Sequence, residues 1–428
     1  MSFKNRIKFS RASWAVSEQL ISPIIMILLT PFLLRYLGVE QHGLWMLITA
    51  IVGMGQLTSL GVGVATIKYV SEDLACGKIV DAVLIVRASI TIVLLFGALV
   101  FGVMLALSPF MAKTIFNKMG DTQVVSNLLV LGGGLIFIQE LDNVYTCALR
   151  GAQRFDLSAI IELVTRFFWG LAVAILAWLY GTLSVVIYGV ILLAIIKVLI
   201  KAYMVNRMWN VNDCCKPLFK KSTLMKVINF GKWSWLQSFA GVLFSVADRL
   251  LIGSVFGAVD LSRYTICMQI TQYSHTLSAS AMQVLFPWLS GRQVNKNRFE
   301  RKYLFKLAIK LGALCALLSI ILLIFLPYFI PLWLGASFYE DNKIILRVLT
   351  LTYGILAFSA PAHFLLMGLG KAKFISLSNF LAGIFTLIIG ILLIPFGLVW
   401  FTVSKLLFGV IILVNFYKLK NPNNEYYQ

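Results

Sequence analysis

Charged residues are scarce in this sequence, and acids are scarcer than bases. Charged side chains make up 13% of the 428 residues, with 17 acids against 37 lysines and arginines, whereas hydrophobic residues make up 60%. The mean hydropathy is +0.90. Because these charged side chains are too few to cover a water-soluble surface, the composition predicts an integral membrane protein. The longest polar stretch, residues 206–226, leaves no room for a separate soluble domain.

Several chemical motifs are also missing. The sequence has no GxxxxGK[ST] pattern, which argues against ATP hydrolysis by this chain. The adjacent Cys214 and Cys215 have no histidine nearby, so neither a disulfide framework nor a four-ligand metal site is predicted. Short predicted outer loops disfavour a membrane enzyme, and the lack of a re-entrant filter-like segment disfavours an ion channel. We therefore expect no enzyme activity, no cofactor and no metal.

What the sequence does contain is a series of long apolar runs. A membrane-spanning helix needs about 20 mainly apolar residues, and about twelve such runs can be placed. The runs are continuous, whereas a transmembrane barrel would alternate apolar and polar residues. The sequence therefore predicts an all-α membrane protein with twelve transmembrane helices. These are residues 12–34, 43–66, 82–112, 123–149, 158–180, 183–204, 233–257, 263–289, 304–332, 343–368, 374–394 and 396–417.

One short motif occurs twice where an apolar run ends. LRGAQRF at 149–155 returns as GLGKAKF at 368–374, with Gly151 on Gly370 and Arg154 on Lys373. The separation of 219 residues also aligns GVEQHGLW, at 38–45, with GAVDLSRY, at 257–264. A shared offset at distant places predicts an internal repeat, as in many transporters. In this interpretation GVEQH is a break between two helices, and His42 belongs to a loop.

The repeat predicts two pseudo-symmetric six-helix lobes, residues 1–205 and 227–428, joined by a cytoplasmic linker at 206–226. Lysine and arginine are concentrated in the loops on one side, which places both termini in the cytoplasm. Because each half has an even number of helices, the repeats are parallel, related by an axis along the membrane normal. Topology thus accounts for most of the net charge of +20, and no nucleic-acid partner is expected.

Charged residues inside the apolar runs are the candidate functional residues. A charge at the middle of a bilayer costs roughly 2.5 to 3.5 kcal/mol, so one that is kept usually faces a partner or a wet cavity. Glu162 and Arg166 are four residues apart on one helix face, where they can form a structural pair or belong to a cavity wall. Lys197 and Lys201 could instead extend to the cytoplasmic interface. Candidate substrate-binding cations are Arg166, Arg249, Lys405 and Lys197, and candidate ion-coupling acids are Glu18, Glu140, Asp142 and Asp248.

Several stretches together resemble a known family. The first predicted helix ends in LLRYLGVEQHGLW, LRGAQRF follows the fourth, and DRLLIGSVFG ends the seventh. With the second turn GLGKAKF, they are similar to the polysaccharide-transporter branch of the multidrug/oligosaccharidyl-lipid/polysaccharide (MOP) superfamily, and most similar to Wzx-type O-antigen flippases. The resemblance covers the whole chain. It implies a MATE-like fold, in which two six-helix lobes form a V around a central cavity that opens to alternate faces.

The resemblance also implies a function. It predicts movement of an undecaprenyl-pyrophosphate-linked oligosaccharide from the cytoplasmic to the periplasmic leaflet of the bacterial inner membrane, for O-antigen or related polysaccharide assembly. Arginine or lysine in the cavity would compensate the pyrophosphate charge. The expected partners are this substrate and membrane lipids, with the polysaccharide polymerase and chain-length regulator as further candidates. A MATE-type ion-coupled exporter of drugs or metabolites remains the alternative.

Overall fold

The computed structural model describes residues 24–57, 61–209, 216–283, 285, 289 and 301–420, without the side chains of 232–245, 301 and 372. These parts of the chain are helical and contain no β-strand, which confirms the all-α prediction. The helices are α1 (Ile24–Tyr36), α2 (Gly38–Gly53), α3 (Val62–Ala75), α4 (Ile79–Thr114), α5 (Thr122–Gly151), α6 (Phe155–Tyr180), α7 (Leu183–Trp209), α8 (Lys221–Phe256), α9 (Ala258–Met282), α10 (Arg301–Leu334), α11 (Ala336–Gly368), α12 (Ala372–Leu393), α13 (Leu398–Ile412) and α14 (Val414–Lys420).

The long helices match the apolar runs of the sequence. Within the described residues, eight helical segments are long and apolar enough to cross a membrane. They correspond to α4 to α7, α10, α11, α12 with the following turn, and α13 with α14. The shorter α1 is also apolar, and the predicted helix 12–34 begins outside the described residues. The total of twelve spans stays a prediction.

The predicted loop at 38–42 and the predicted single helix at 43–66 are both wrong. GVEQH forms the first turns of α2, and His42 is fully buried, with Nδ1 2.8 Å from Ser262 Oγ. After α2 the chain makes a 3-10 turn and starts a new helix, α3, behind Gly61. The φ of Gly61 is +69°, and a Cβ there would lie 2.1 Å from the carbonyl oxygen of Gly231 in α8. The helix is therefore interrupted where two backbones meet closely.

The two repeated turns share one backbone geometry. After α5, the amide of Arg154 donates to the Leu149 carbonyl, and Gln153 has a φ of +60°. After α11, the amide of Lys371 donates to the Leu366 carbonyl, and Gly370 has a φ of +74°. Both turns are Schellman motifs, in which a left-handed residue ends the helix. Gln153 is thus the counterpart of Gly370, and the sequence pairing of Gly151 with Gly370 was wrong by two residues.

The chain divides into two compact units, Met1–Ser262 and Arg263–Gln428. In the first unit α4 packs on α5, α5 packs on α7, and α8 packs on α2, α3 and α4. A large core cluster of Val, Ile, Ala and Leu side chains from α3, α4, α5 and α7 joins these helices. In the second unit α10 packs on α11, and α13 packs on α11 and α12. The first unit contains the cavity described next.

Candidate functional site

A cavity of about 510 Å³ lies inside the first unit, between α1, α2, α5, α6 and α7. Most of its wall is apolar, and two tryptophans contribute to it: the ring centroids of Trp45 and Trp169 are 6.1 Å apart and tilted by 36°. The wall also carries four charged side chains, which come from three successive helices. They are Asp142 of α5, Glu162 and Arg166 of α6, and Lys197 of α7.

Lys197 joins the two acids of the wall. Its Nζ lies 2.8 Å from Asp142 Oδ2 and 2.9 Å from Glu162 Oε1. The lysine side chain keeps 22% of its surface exposed, which faces the cavity. The structure thus favours the cavity position for Lys197 over an extended position at the interface.

Lys201, one helical turn further along α7, binds the same two acids from the buried side. Its Nζ lies 2.7 Å from Asp142 Oδ1 and 2.5 Å from Glu162 Oε1, and it donates to Thr146 Oγ1 at 2.6 Å. None of its side chain is exposed. A buried ammonium needs such a full set of acceptors, because taking a charge out of water is costly unless the geometry compensates it. Lys201 therefore fixes the positions of both carboxylates.

Arg166 differs from the lysines because it forms no ion pair with the two acids of the cavity wall. Of the two interpretations of Glu162 and Arg166, the structure favours the cavity wall: the direct pair does not form, because Glu162 Oε1 is held by Lys197 and Lys201. Among the described residues, no acid lies within ion-pair distance of the Arg166 guanidinium. The two carboxylates are balanced by the two lysines. The group as a whole therefore carries one excess positive charge, on Arg166.

The other candidates that the structure describes are not among the residues that line this cavity. Glu140, also on α5, is only 6% exposed and is not part of the cavity wall. Asp248 on α8 is buried, and its Oδ1 accepts a hydrogen bond from the backbone amide of Arg249 at 2.9 Å. Lys405 is buried in α13 of the second unit. Glu18 lies outside the described residues. The structure thus brings Arg166, Lys197 and Asp142 together at the cavity of the first unit.

Sequence reasoning missed the roles of Lys201 and Thr146. A signal for both was present, because polar residues four apart occur on three successive helices: Asp142 and Thr146, Glu162 and Arg166, and Lys197 and Lys201. Residues at this spacing share a helix face. Three such pairs in consecutive apolar helices indicate one shared polar cluster.

Comparison with known proteins identifies the family. A family model described as "Polysaccharide biosynthesis protein" matches residues 32–342, which is most of the chain. The chain belongs to this family. The match confirms the resemblance to a polysaccharide family. The chain is 23% identical over 374 residues to a putative O-antigen transporter of Shigella flexneri, and the alignment covers 85% of each chain.

Solved structures show the same fold. The chain superposes on an inward-facing multidrug resistance MATE family transporter of the MOP superfamily with a TM-score of 0.74 and 16% identity, covering 96% of this chain and 97% of the other. It superposes on the lipid II flippase MurJ, in an inward closed conformation, with a TM-score of 0.70 and 14% identity, covering 95% and 87%. These likenesses confirm a MATE-like membrane fold.

Proposed function

We propose that this protein moves undecaprenyl-pyrophosphate-linked oligosaccharide repeat units from the cytoplasmic to the periplasmic leaflet of the bacterial inner membrane by alternating access. The product would be used for O-antigen or a related surface polysaccharide. Family membership and the likeness to a putative O-antigen transporter support the substrate class. The observation that carries the proposal is the cavity of the first unit, with Arg166 as its excess cation.

The chemistry of the substrate explains why one excess cation matters. A pyrophosphate cannot enter hydrocarbon without compensation of its charge. Arginine presents several N–H donors in a planar fork, so it can bind two phosphate oxygens at once. The two lysines are already bound to Asp142 and Glu162, and Arg166 is therefore the group that would contact the anion first.

The rest of the wall suits the other parts of the substrate. Apolar side chains and the faces of Trp45 and Trp169 offer surface for a sugar ring or an isoprenoid segment. Lys197 keeps part of its side chain in the cavity and would strengthen anion binding if it turned away from the acids. Arg249 and Lys405 remain candidate substrate contacts of the transport cycle.

A MATE-type exporter is the second candidate, and the TM-score of 0.74 with a multidrug resistance transporter favours it. Such exporters typically carry cationic substrates, for which an acidic cavity would be expected. Both acids of this cavity are bound to lysines, and the excess charge is positive. The electrostatics of the cavity therefore favour an anionic substrate.

Complementation of a deletion strain tests the proposal. The strain receives the wild-type gene, Arg166→Ala, Arg166→Lys or the control Arg207→Ala, which removes an exposed cation at the end of α7. We expect Arg166→Ala to lower long-chain surface polysaccharide at least about tenfold, as for loss of one charge-assisted contact, and to leave lipid-linked repeat units on the inner leaflet. Arg166→Lys should restore part of the activity, and Arg207→Ala should resemble wild type. Arg249→Ala and Lys405→Ala rank the remaining cations.

Two other outcomes would contradict the proposal, one for the function and one for Arg166. If the deletion strain makes normal surface polysaccharide and becomes sensitive to cationic drugs, the exporter function replaces the flippase function. If polysaccharide is lost in the deletion but fully restored by Arg166→Ala, the flippase function stands and Arg166 is not its anion contact.

A further inference from the structure

Residues 216–220 precede α8 and are called the connector below. Hydrogen bonds join the connector to α4. Arg87 Nε donates to the carbonyl oxygen of Lys216 at 3.0 Å. The amide of Leu218 donates to Thr91 Oγ1 at 2.7 Å, and the same hydroxyl lies 3.0 Å from the Leu218 carbonyl oxygen. Leu218 also packs against the core of the first unit. The connector is therefore held in place by contacts to its backbone and by one inward side chain.

The charges of α4 give the depth of the connector in the membrane. No charged residue occurs from 88 to 112, a stretch that is about 37 Å long at 1.5 Å per residue. This is enough for the hydrocarbon core of about 30 Å. Arg87 thus marks one edge of the hydrocarbon, and its bond to Lys216 places the connector at this edge. The distribution of lysine and arginine assigns this edge to the cytoplasmic side.

The outward side of the connector combines one aromatic residue with cations. Phe219 is 71% exposed, although it follows the inward-facing Leu218. Lys220 and Lys221 come directly after it and are exposed. Residues 216–226 contain four lysines and no acid. An apolar side chain beside lysines is the pattern of segments that lie in the headgroup region of an anionic membrane.

We propose that the connector, together with Lys221 at the start of α8, is a lipid-binding surface. Phe219 inserts into the interface of the cytoplasmic leaflet, and Lys220 and Lys221 bind the phosphate groups of anionic phospholipids. The surface lies outside the cavity and acts on bulk lipid, so it is independent of the transported substrate. Its effect would be to fix the junction between α7 and α8 at a defined depth.

Fluorescence quenching in nanodiscs tests this surface with the full-length protein. Phe219→Trp adds one tryptophan, and subtraction of the wild-type signal removes the 10 native ones. The discs contain phosphatidylcholine and a small fraction of bromine-labelled lipid, either phosphatidylcholine or phosphatidylglycerol. We expect quenching by both lipids. Half-quenching should need at least about fivefold less brominated phosphatidylglycerol than brominated phosphatidylcholine, because one interfacial lysine already provides about fivefold enrichment and two are present.

Two charge variants on the Phe219→Trp background complete the test. Lys220→Gln with Lys221→Gln should remove the preference for phosphatidylglycerol, whereas Lys113→Gln with Lys343→Gln, an equal loss of charge outside the connector, should keep it. No quenching by either lipid would overturn the insertion of Phe219. Equal quenching by both lipids would overturn the recognition of anionic headgroups. The readout needs no transport, so its failure is separate from failure of the proposed function.

Discussion

The ammonium of Lys201 lies 2.5 Å from Glu162 Oε1 and is completely shielded from solvent. The same ammonium contacts Asp142 of a second helix and Thr146 one turn below it. One residue of α7 thereby sets the relative positions of α5 and α6 at the cavity wall. Because these helix positions are fixed, Lys197 and Arg166 face the cavity in a defined arrangement.

Removal of this buried cation should destabilise the protein strongly. Lys201→Met leaves Asp142 and Glu162 with Lys197 as their remaining lysine, and loss of one partner of a buried ion pair typically costs about 3–5 kcal/mol. The free energy of unfolding can be measured by denaturant titration of the purified protein in mixed micelles.

An exposed pair of similar length provides the control for Lys201. Lys343 Nζ lies 2.6 Å from Glu340 Oε2, but 43% of the lysine side chain is exposed. Lys343→Met should therefore cost less than about 1 kcal/mol. Addition of Glu162→Gln to Lys201→Met should recover part of the loss, because it removes the uncompensated charge. Equal losses for the two lysine variants would show that the buried cluster does not stabilise the fold.

Ion coupling is predicted to depend on Glu140 more than on Asp142. Glu140 is 6% exposed, and its Oε2 has no hydrogen-bond partner within the described parts of the chain. A buried carboxylate is costly unless its charge is compensated; Lys197 and Lys201 compensate Asp142, whereas no cation among the described residues is paired with Glu140. Glu140→Gln should therefore flatten the pH dependence of transport in inverted membrane vesicles.

The matched variant is Asp142→Asn, which should reduce the amount of folded protein at every pH without changing the shape of the profile. Asp248→Asn is measured alongside. An unchanged pH profile for Glu140→Gln would remove Glu140 from the coupling candidates. If all three amide variants keep the wild-type profile, proton coupling through these acids is refuted.

The two Schellman turns predict substitutions of opposite sign. The left-handed conformation is strained for Gln153, which has a Cβ, but not for Gly370, which has none. Gln153→Gly should therefore stabilise the protein by about 1 kcal/mol, and Gly370→Ala should destabilise it by about the same amount. No atom lies within 4 Å of a Cβ built on Gly370, so the second effect reports conformation alone. Thermal unfolding of both variants gives the signs, and a shared sign would contradict the interpretation.

The helices were predictable because hydrophobicity alone determines where long apolar segments lie. The predicted 123–149 and 158–180 differ from α5 and α6 by a few residues. The interruption before α3 was not predictable, because the left-handed Gly61 contacts Gly231, which is distant in sequence. GVEQH was mistaken for a loop because its polar residues hide a helix start, in which Glu40 lies in the first turn.

The site was predictable in its members but not in its pairing. Arg166, Lys197 and Asp142 could be identified from the sequence because any charge in an apolar run is costly to bury. The choice of partner for Glu162 depended on the approach of α7 to α6, and local spacing favoured Arg166 instead. Lys201 was assigned to the interface, because a lysine near a helix end can extend to water as readily as it can be buried.

The contact between His42 and Ser262 also bears on how the protein is made. The two residues are separated by 220 positions, and the histidine is fully buried when they meet. During translation, α2 is synthesised long before Ser262. The packing around this imidazole is therefore completed only after well over half of the chain has been synthesised, and shorter nascent chains would leave His42 Nδ1 without its Ser262 partner.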